Sequence, residues 1–260
     1  IDASANGNDG ELINGPAWVD GYPFQENVIE FSTLQITNSF DGARDVCMAD
    51  LNGDGWQDIV GAAYNENQIS WWEQGANEEF TEHIIAEEFM QAHSVTAVDL
   101  DDDGDMDLVG AAYQADRITW WENDGSETFS EHDISTTFDG AMSAKVFDVD
   151  SDNDLDIIGA AYDGNTISWL ENDGFEVFSE HIVTNALEGA RDVNAVDLDR
   201  DGDLDLFSAG DLADRLSWWE NDGSQNFTEY IISDILDGPQ AIKVADLSLI
   251  HISEPTRLRR

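Results

Sequence analysis

The chain repeats itself every 49 residues, and no other feature constrains its fold so strongly. The segment Asp50-Leu-Asn-Gly-Asp-Gly-Trp-Gln-Asp58 returns at Asp99–Asp107, Asp148–Asp156 and Asp197–Asp205, with no insertion between copies. A fifth copy begins on schedule at Asp246 and breaks off. The flanks keep the same register. Upstream, Val46, Val95, Ala144, Val193 and Ile242 each precede another apolar side chain by two residues. Downstream, Ile59-Val-Gly-Ala-Ala-Tyr64 recurs at 108–113 and 157–162, and loosely at 206–211. Ile69-Ser-Trp-Trp-Glu73 recurs at 118–122, at 167–171 with Leu170 for the second Trp, and at 216–220. Phe80-Thr-Glu-His-Ile-Ile85 starts again at Phe129, Phe178 and Phe227.

Each unit therefore holds four short β-branched or aromatic runs separated by Asp, Asn and Gly clusters, which predicts four strands. No stretch sustains a 3.6-residue period, so no helix is expected. Four strands per repeat of this length indicate an all-β chain of β-propeller blades, each of four antiparallel strands. A blade cannot bury both faces alone. Its apolar positions must pack against its neighbours, with Trp71, Trp120, Trp169 and Trp218 as the expected inter-blade core. The propeller repeats span residues 28–246, residues 28–36 aligning with the outermost strand of a partial blade. Residues 1–27 form an irregular N-terminal segment or a degenerate blade. Residues 247–260 leave the repeat and read as translated adapter sequence, a non-native tail. With the non-Met start, this predicts an interior fragment of a longer protein, whose four units and two partial ones form an open, incomplete propeller unless other sequence completes the ring.

Composition closes off several function classes. The chain has 57 Asp and Glu against 10 Lys and Arg, a net charge of −47. Such a surface repels phosphates, which excludes nucleic acid as a partner and disfavours anionic lipid. High charge is one mark of disorder, but 41% of residues are hydrophobic, with nine Trp and twelve Phe, so the chain folds. No apolar run is long enough for a membrane span. The single Cys47 rules out a disulfide framework and a multi-Cys metal site. It aligns with Thr96, Lys145, Asn194 and Lys243, which predicts a solvent- or channel-facing thiol.

The repeated loop reads Asp-x-Asp/Asn-x-Asp-Gly/Asn-x-x-Asp. Carboxylates at positions 1, 3, 5 and 9 crowd oxygen donors into one tight turn, as a hard cation requires. Ca2+ accepts six to eight oxygens in flexible geometry, whereas Mg2+ keeps its waters. Position 6 is Gly55, Gly104, Asn153 or Gly202, residue types that tolerate a positive φ. An EF-hand is excluded, because its twelfth position requires Glu and is here Gly61, Gly110, Gly159 or Ser208. Four in-register copies weigh against solvated acidic turns that bind nothing.

These loops, the Gly-Ala-Ala-Tyr strand and the Ile-x-Trp-Trp-Glu-Asn-Asp-Gly segment resemble FG-GAP/VCBS repeats, related to the propeller of integrin α subunits. The resemblance covers residues 28–246. It implies one structural Ca2+ per loop, about four in all. Side chains at positions 1, 3, 5 and 9 and the backbone carbonyl at position 7 would hold each ion. The first set is Asp50, Asn52, Asp54 and Asp58 with the carbonyl of Trp56. The second is Asp99, Asp101, Asp103 and Asp107 with Asp105. The third is Asp148, Asp150, Asp152 and Asp156 with Asp154, and the fourth Asp197, Asp199, Asp201 and Asp205 with Asp203. Asn52 removes a charge, so the first site should be the weakest.

His83, His132 and His181 share one repeat position with Tyr230, which fits packing better than catalysis. In a four-stranded blade, the Asp loop and the Asn-Asp-Gly turn share one face of the disc. The opposite face carries Arg44, Arg117, Arg191 and Arg215, either a ligand-contact set or structural partners of nearby acids. No catalytic triad, phosphate loop or zincin motif appears. Two functions remain. The first is a secreted or cell-surface calcium-binding propeller, an adhesion or binding module for protein or carbohydrate ligands. The second is the propeller of a secreted carbohydrate-active enzyme, a polysaccharide lyase or hydrolase. A non-repeating cluster of acid, base and Arg on one blade would favour the enzyme, and none is present.

Overall fold

A computed structural model of the chain describes residues 34–76 and 79–245. They form sixteen strands in four sheets. The first sheet holds β1 (Ala43–Ala49), β2 (Asp58–Ala63), β3 (Gln68–Gln74) and β4 (Phe80–Ala86). The second holds β5 (Ala92–Val98), β6 (Asp107–Ala112), β7 (Arg117–Asn123) and β8 (Phe129–Ser135). The third holds β9 (Ala141–Phe147), β10 (Asp156–Ala161), β11 (Thr166–Asn172) and β12 (Phe178–Thr184). The fourth holds β13 (Ala190–Val196), β14 (Asp205–Gly210), β15 (Arg215–Asn221) and β16 (Phe227–Ser233). Within each sheet the strands pair antiparallel in chain order, and no sheet closes on itself. Among the described residues there is no helix. The all-β, four-stranded blade architecture read from the repeat is therefore the observed one.

The second strands carry the burial. All six residues of β6, β10 and β14 are buried, as continuous apolar runs covered on both faces require. The fourth strands are exposed along most of their length. The innermost strands β1, β5, β9 and β13 lie side by side, so the blades succeed one another around a common axis.

Both positions of the Trp-Trp segment build the seams, not only the first. Trp71 and Trp121 share one buried cluster, Trp120 and Leu170 the next, and Trp169 and Trp219 the third. Neighbouring side chains on a strand point to opposite faces. The first Trp therefore meets the following blade and the second meets the preceding one. Where no preceding blade is described, β1 leaves Val46 and Met48 65% and 63% exposed, while the equivalent Val95, Ala144 and Val193 are buried.

One residue per blade clamps the chain as it crosses to the next. Asn67, Asp116, Asn165 and Asp214 adopt φ of 52–58° in the turn before the third strand. Their carbonyls accept the backbone N–H of Phe89, Phe138, Leu187 and Leu236 at 2.9–3.1 Å. Their side-chain Oδ1 atoms accept the N–H of Gln91, Gly140, Gly189 and Gly238 at 2.8–3.1 Å. Only Asn and Asp combine tolerance of the left-handed region with a short side-chain acceptor, which explains the residue choice.

The outer strand expected over 28–36 is not formed by residues 34–36, and residues 28–33 lie outside the described residues. So do the N-terminal segment 1–27, the fifth loop beginning at Asp246, and the 247–260 tail.

The glycine of Gly-Ala-Ala-Tyr makes room for an aromatic pair. Phe89 meets Trp121 edge-on at 4.9 Å, and a Cβ on Gly110 would lie 2.8 Å from the Trp121 ring and 3.2 Å from Phe89. In the fourth blade Ser208 replaces the glycine and Leu187 replaces the Phe, and Ser208 Oγ accepts the Trp219 indole N–H at 2.8 Å. Gly110→Ser is therefore expected to destabilise the fold by about 1–3 kcal/mol through overpacking. Adding Phe89→Leu should recover part of that loss, because the pair then matches the fourth blade. Denaturant unfolding of both variants checks the coupling; strictly additive losses would contradict it.

Candidate metal centres

The loop between the first and second strands of each blade is folded by its own carboxylates. In the second blade, Asp99 accepts the N–H of Asp103 and of Gly104, both at 3.1 Å. Asp101 accepts the Asp103 N–H at 3.3 Å, and Asp103 accepts the Asp105 N–H at 2.9 Å. The first and third loops repeat this pattern through Asp50, Asn52 and Asp54, and through Asp148, Asp150 and Asp152. In the fourth, Asp199 and Asp201 do the same, while Asp197 accepts the Arg200 N–H at 2.7 Å. Position 6 has φ of 76–106°, as its Gly and Asn residues predicted. Position 4 is also left-handed, at 58–72°, although it is Asp102, Ser151 and Arg200 in three loops. Only Gly53 in the first copy signals this.

The folding draws like charges together. Carboxylate oxygens of Asp99, Asp101 and Asp103 all lie within 4.8 Å of one another. The same holds for Asp148, Asp150 and Asp156, and for Asp197, Asp199 and Asp201. These three groups can hold a metal ion: each offers only oxygen donors, the chemistry of a hard-cation site. Desolvation first, and neighbouring carboxylates next, push Asp101, Asp150 and Asp199 above the usual carboxylate range. In the first loop Asn52 instead donates its amide to Glu73 at 3.4 Å. No three-carboxylate group forms there among the described residues.

The position-9 residues Asp58, Asp107, Asp156 and Asp205 are fully buried. Each uses one oxygen for the amide of loop position 2 and the other for the last residue of the third strand. For Asp107 these are Leu100 at 3.0 Å and Asn123 at 2.7 Å. Asp58, Asp156 and Asp205 make the same two bonds. Burial pushes Asp107 and Asp156 up to about 6 despite these bonds, and raises Asp58. The position-7 side chains of Asp105, Asp154 and Asp203 pack over Gly125, Gly174 and Gly223, so the loop and the Asn-Asp-Gly turn do share one face. Trp56 at this position in the first loop is 47% exposed.

Beside each loop stands a repeated stack. His83, His132, His181 and Tyr230 lie on Trp71, Trp120, Trp169 and Trp218 at 4.5–4.8 Å. The His Nε2 atoms donate to Glu73, Glu122 and Glu171 at 2.6–3.1 Å. These histidines are packing groups.

Cys47 is half-buried against the apolar cluster between the first two blades, and burial pushes its thiol up to about 11. It is a free, protonated thiol, partly exposed and partly packed. The four arginines do not form one set. Arg117 pairs with Glu131 and Asp133, and Arg215 with Glu229 at 3.3 Å, all between third and fourth strands. Arg191 pairs with Asp211 at 3.1 Å, and it and Arg44 begin innermost strands and line one axial cavity.

The raised carboxylates carry a sign. A group whose pKa is higher folded than unfolded contributes stability that is lost as pH rises through the folded value. In the presence of chelator, the thermal midpoint is expected to fall as pH rises from about 4 to 6.5, the window of Asp107 and Asp156. Calorimetry across that range checks it; a midpoint rising with pH would refute it.

The family model described as FG-GAP-like repeat matches residues 50–110, 99–159, 148–208 and 197–248. No curated protein matches the sequence. Among solved structures, a streptogramin B lyase aligns with TM-score 0.55 and 15% identity over 78% of this chain and 59% of its own. An Agrocybe aegerita lectin, described as recognising non-reducing terminal N-acetylglucosamine, aligns with TM-score 0.50 and 19% identity. It is covered over 52% of its length and this chain over 73%. The chain thus spans between half and three fifths of these structures, and at such identities the likeness is one of fold.

Proposed function

The chain belongs to the FG-GAP-like repeat family, and from that premise we propose that it is a calcium-binding β-propeller module of the extracellular space or cell surface. Its role is binding, to a protein or glycan ligand. The observation that carries this reading is the set of carboxylate groups gathered within 4.8 Å of one another in three successive blades. Backbone amides already hold these side chains in place, so a cation enters a formed site at little ordering cost.

Bound Ca2+ would supply the positive charge that the loops lack. The chain's own residues do the rest. Positions 1, 3 and 5 present oxygens, and the left-handed residues at positions 4 and 6 turn the backbone around them. The buried position-9 carboxylate ties the loop to the third strand. In the third blade Asp156 also faces Asp148 and Asp150. The site would be structural, stiffening the loop face of each blade. A lectin among the proteins of similar fold supports a glycan as the ligand class. Extracellular calcium favours an outside location, because binding to the folded state alone stabilises by mass action.

The test is a thermal melt with Ca2+ and with EDTA. Calcium at 100 times the site Kd stabilises by about 2.7 kcal/mol per site. The midpoint should rise with calcium, and its fall with pH should weaken or reverse, since the cation favours the ionised form of every ligand. Asp101→Asn, Asp150→Asn and Asp199→Asn should each remove part of the calcium-dependent shift. Asn52→Asp should enlarge it, by completing the first loop. A midpoint indifferent to calcium overturns the metal assignment. Activity assays on uronic-acid polysaccharides separate binding from catalysis, and turnover would favour the lyase or hydrolase reading.

A further inference from the structure

At the axis, where the innermost strands begin, a cavity of about 190 Å³ opens to solvent. Its cations are Arg44, Lys145, Arg191 and Lys243, four of the ten Lys and Arg in the whole chain and both of its lysines. Asp45 and Asp192 are the only acids in the lining, so the wall carries an excess of positive charge inside a molecule of net charge −47. Charge of one sign gathered in a cleft focuses the local field and raises the local concentration of a ligand of opposite sign.

The cations are incompletely matched by the protein. Arg191 holds Asp211 at 3.1 Å, and Lys145 reaches Asp45 only at 3.7 Å. Among the described residues, Arg44 and Lys243 form no ion pair with a carboxylate. The Arg44 guanidinium instead lies over the Tyr64 ring at 4.7 Å, a placement that holds the group while leaving its donors free.

The lining also breaks the repeat. Arg44, His93, Met142, Arg191 and Gln240 occupy one repeat position, and Asp45, Ser94, Ser143, Asp192 and Ala241 the next. The metal loops and seams keep nearly the same residue in every copy, but these positions differ from blade to blade. A small, asymmetric ligand on a symmetry axis needs a different contact from each blade.

We propose that this axial cavity binds a single uronic acid residue of an acidic glycan. The inference rests on the glycan-binding reading above and names its ligand class. Arg44, with Arg191 or Lys243, takes the carboxylate, for which the guanidinium fork is matched in geometry. Asp45 and Asp192 are held by the N–H of Val95 and Ile242, and Ser143 donates to Asp192 at 3.0 Å, so their remaining lone pairs accept from ring hydroxyls. His93 donates through Nδ1 to the Met142 carbonyl at 2.8 Å and keeps Nε2 as a further acceptor. The two carboxylates in the wall disfavour a phosphate dianion and suit a monoanion rich in hydroxyls. The volume admits one sugar rather than a drug-sized ligand, which takes roughly 300 Å³ or more.

Titration calorimetry on the full calcium-loaded chain tests this, with glucuronate and galacturonate as ligands, glucose as the uncharged control and inorganic phosphate as the competing anion. Saturable binding of a uronate is expected, with glucose and phosphate at least tenfold weaker. Arg44→Ala and Lys243→Ala should each lower affinity by about tenfold or more, the loss of a charge-assisted bond. Their calcium-dependent melts should match the parent, showing an intact fold. Absence of uronate binding, equal binding of glucose, tighter binding of phosphate, or affinity unchanged in both variants would each overturn the proposal. Such a failure leaves a positive calcium melt standing, and a failed calcium melt leaves uronate binding to be judged by its own titration.

Discussion

A carboxylate with no exposed surface, repeated in every blade, holds the architecture in register. Asp58, Asp107, Asp156 and Asp205 each span the second residue of the acidic loop and the last residue of the third strand. Burying an ionised group without partners is costly, and here two backbone amides share the charge. Removing that link frees the loop from the sheet, and the orientation of the remaining carboxylates goes with it. The raised values of Asp107 and Asp156 show that two amides offset desolvation only in part. A nearby cation would complete the compensation, so the metal reading and the structural staple are two aspects of one electrostatic problem.

The blades solve a second problem by sharing. Each sheet has two apolar faces and is too small to be stable alone, so burial is achieved at the seams. Trp71 with Trp121, Trp120 with Leu170 and Trp169 with Trp219 fill the same places in three successive seam clusters. The Asn or Asp at the turn before each third strand then fixes how one blade hands the chain to the next. Departures from the repeat occur together, as at Ser208 and Leu187, where the larger residue on one side meets the smaller on the other.

Much of this was legible in the residues. Strict alternation of short apolar runs with Asp, Asn and Gly clusters specified four strands per unit. The loop pattern placed Gly or Asn where φ is positive, and three acidic clusters form where spacing put them. Less legible were residues with two duties, one of which only the tertiary fold assigns. Position 9 reads as one more oxygen donor, and Asp156 does lie with Asp148 and Asp150; its full burial and two amide bonds add a second duty that depends on how the third strand ends. Cys47 aligned with polar residues, but in its own blade it packs beneath the first seam. The left-handed residue at position 4 was hidden because Asp102, Ser151 and Arg200 resemble ordinary loop residues.

By itself the sequence determined the period, the strand count, the family resemblance and the acidic loops, since all of these depend on neighbours within one blade. Tertiary structure alone decided which cations meet. Arg44 and Arg191 are 147 positions apart in the chain yet line the same cavity, while Arg117 and Arg215 are spent on outer-strand acids. No single blade holds a non-repeating cluster in its own sequence, because the cluster is distributed across all of them. Rotation of successive blades about an axis brings one residue from each to a common point, and no linear pattern of 49 residues contains that geometry.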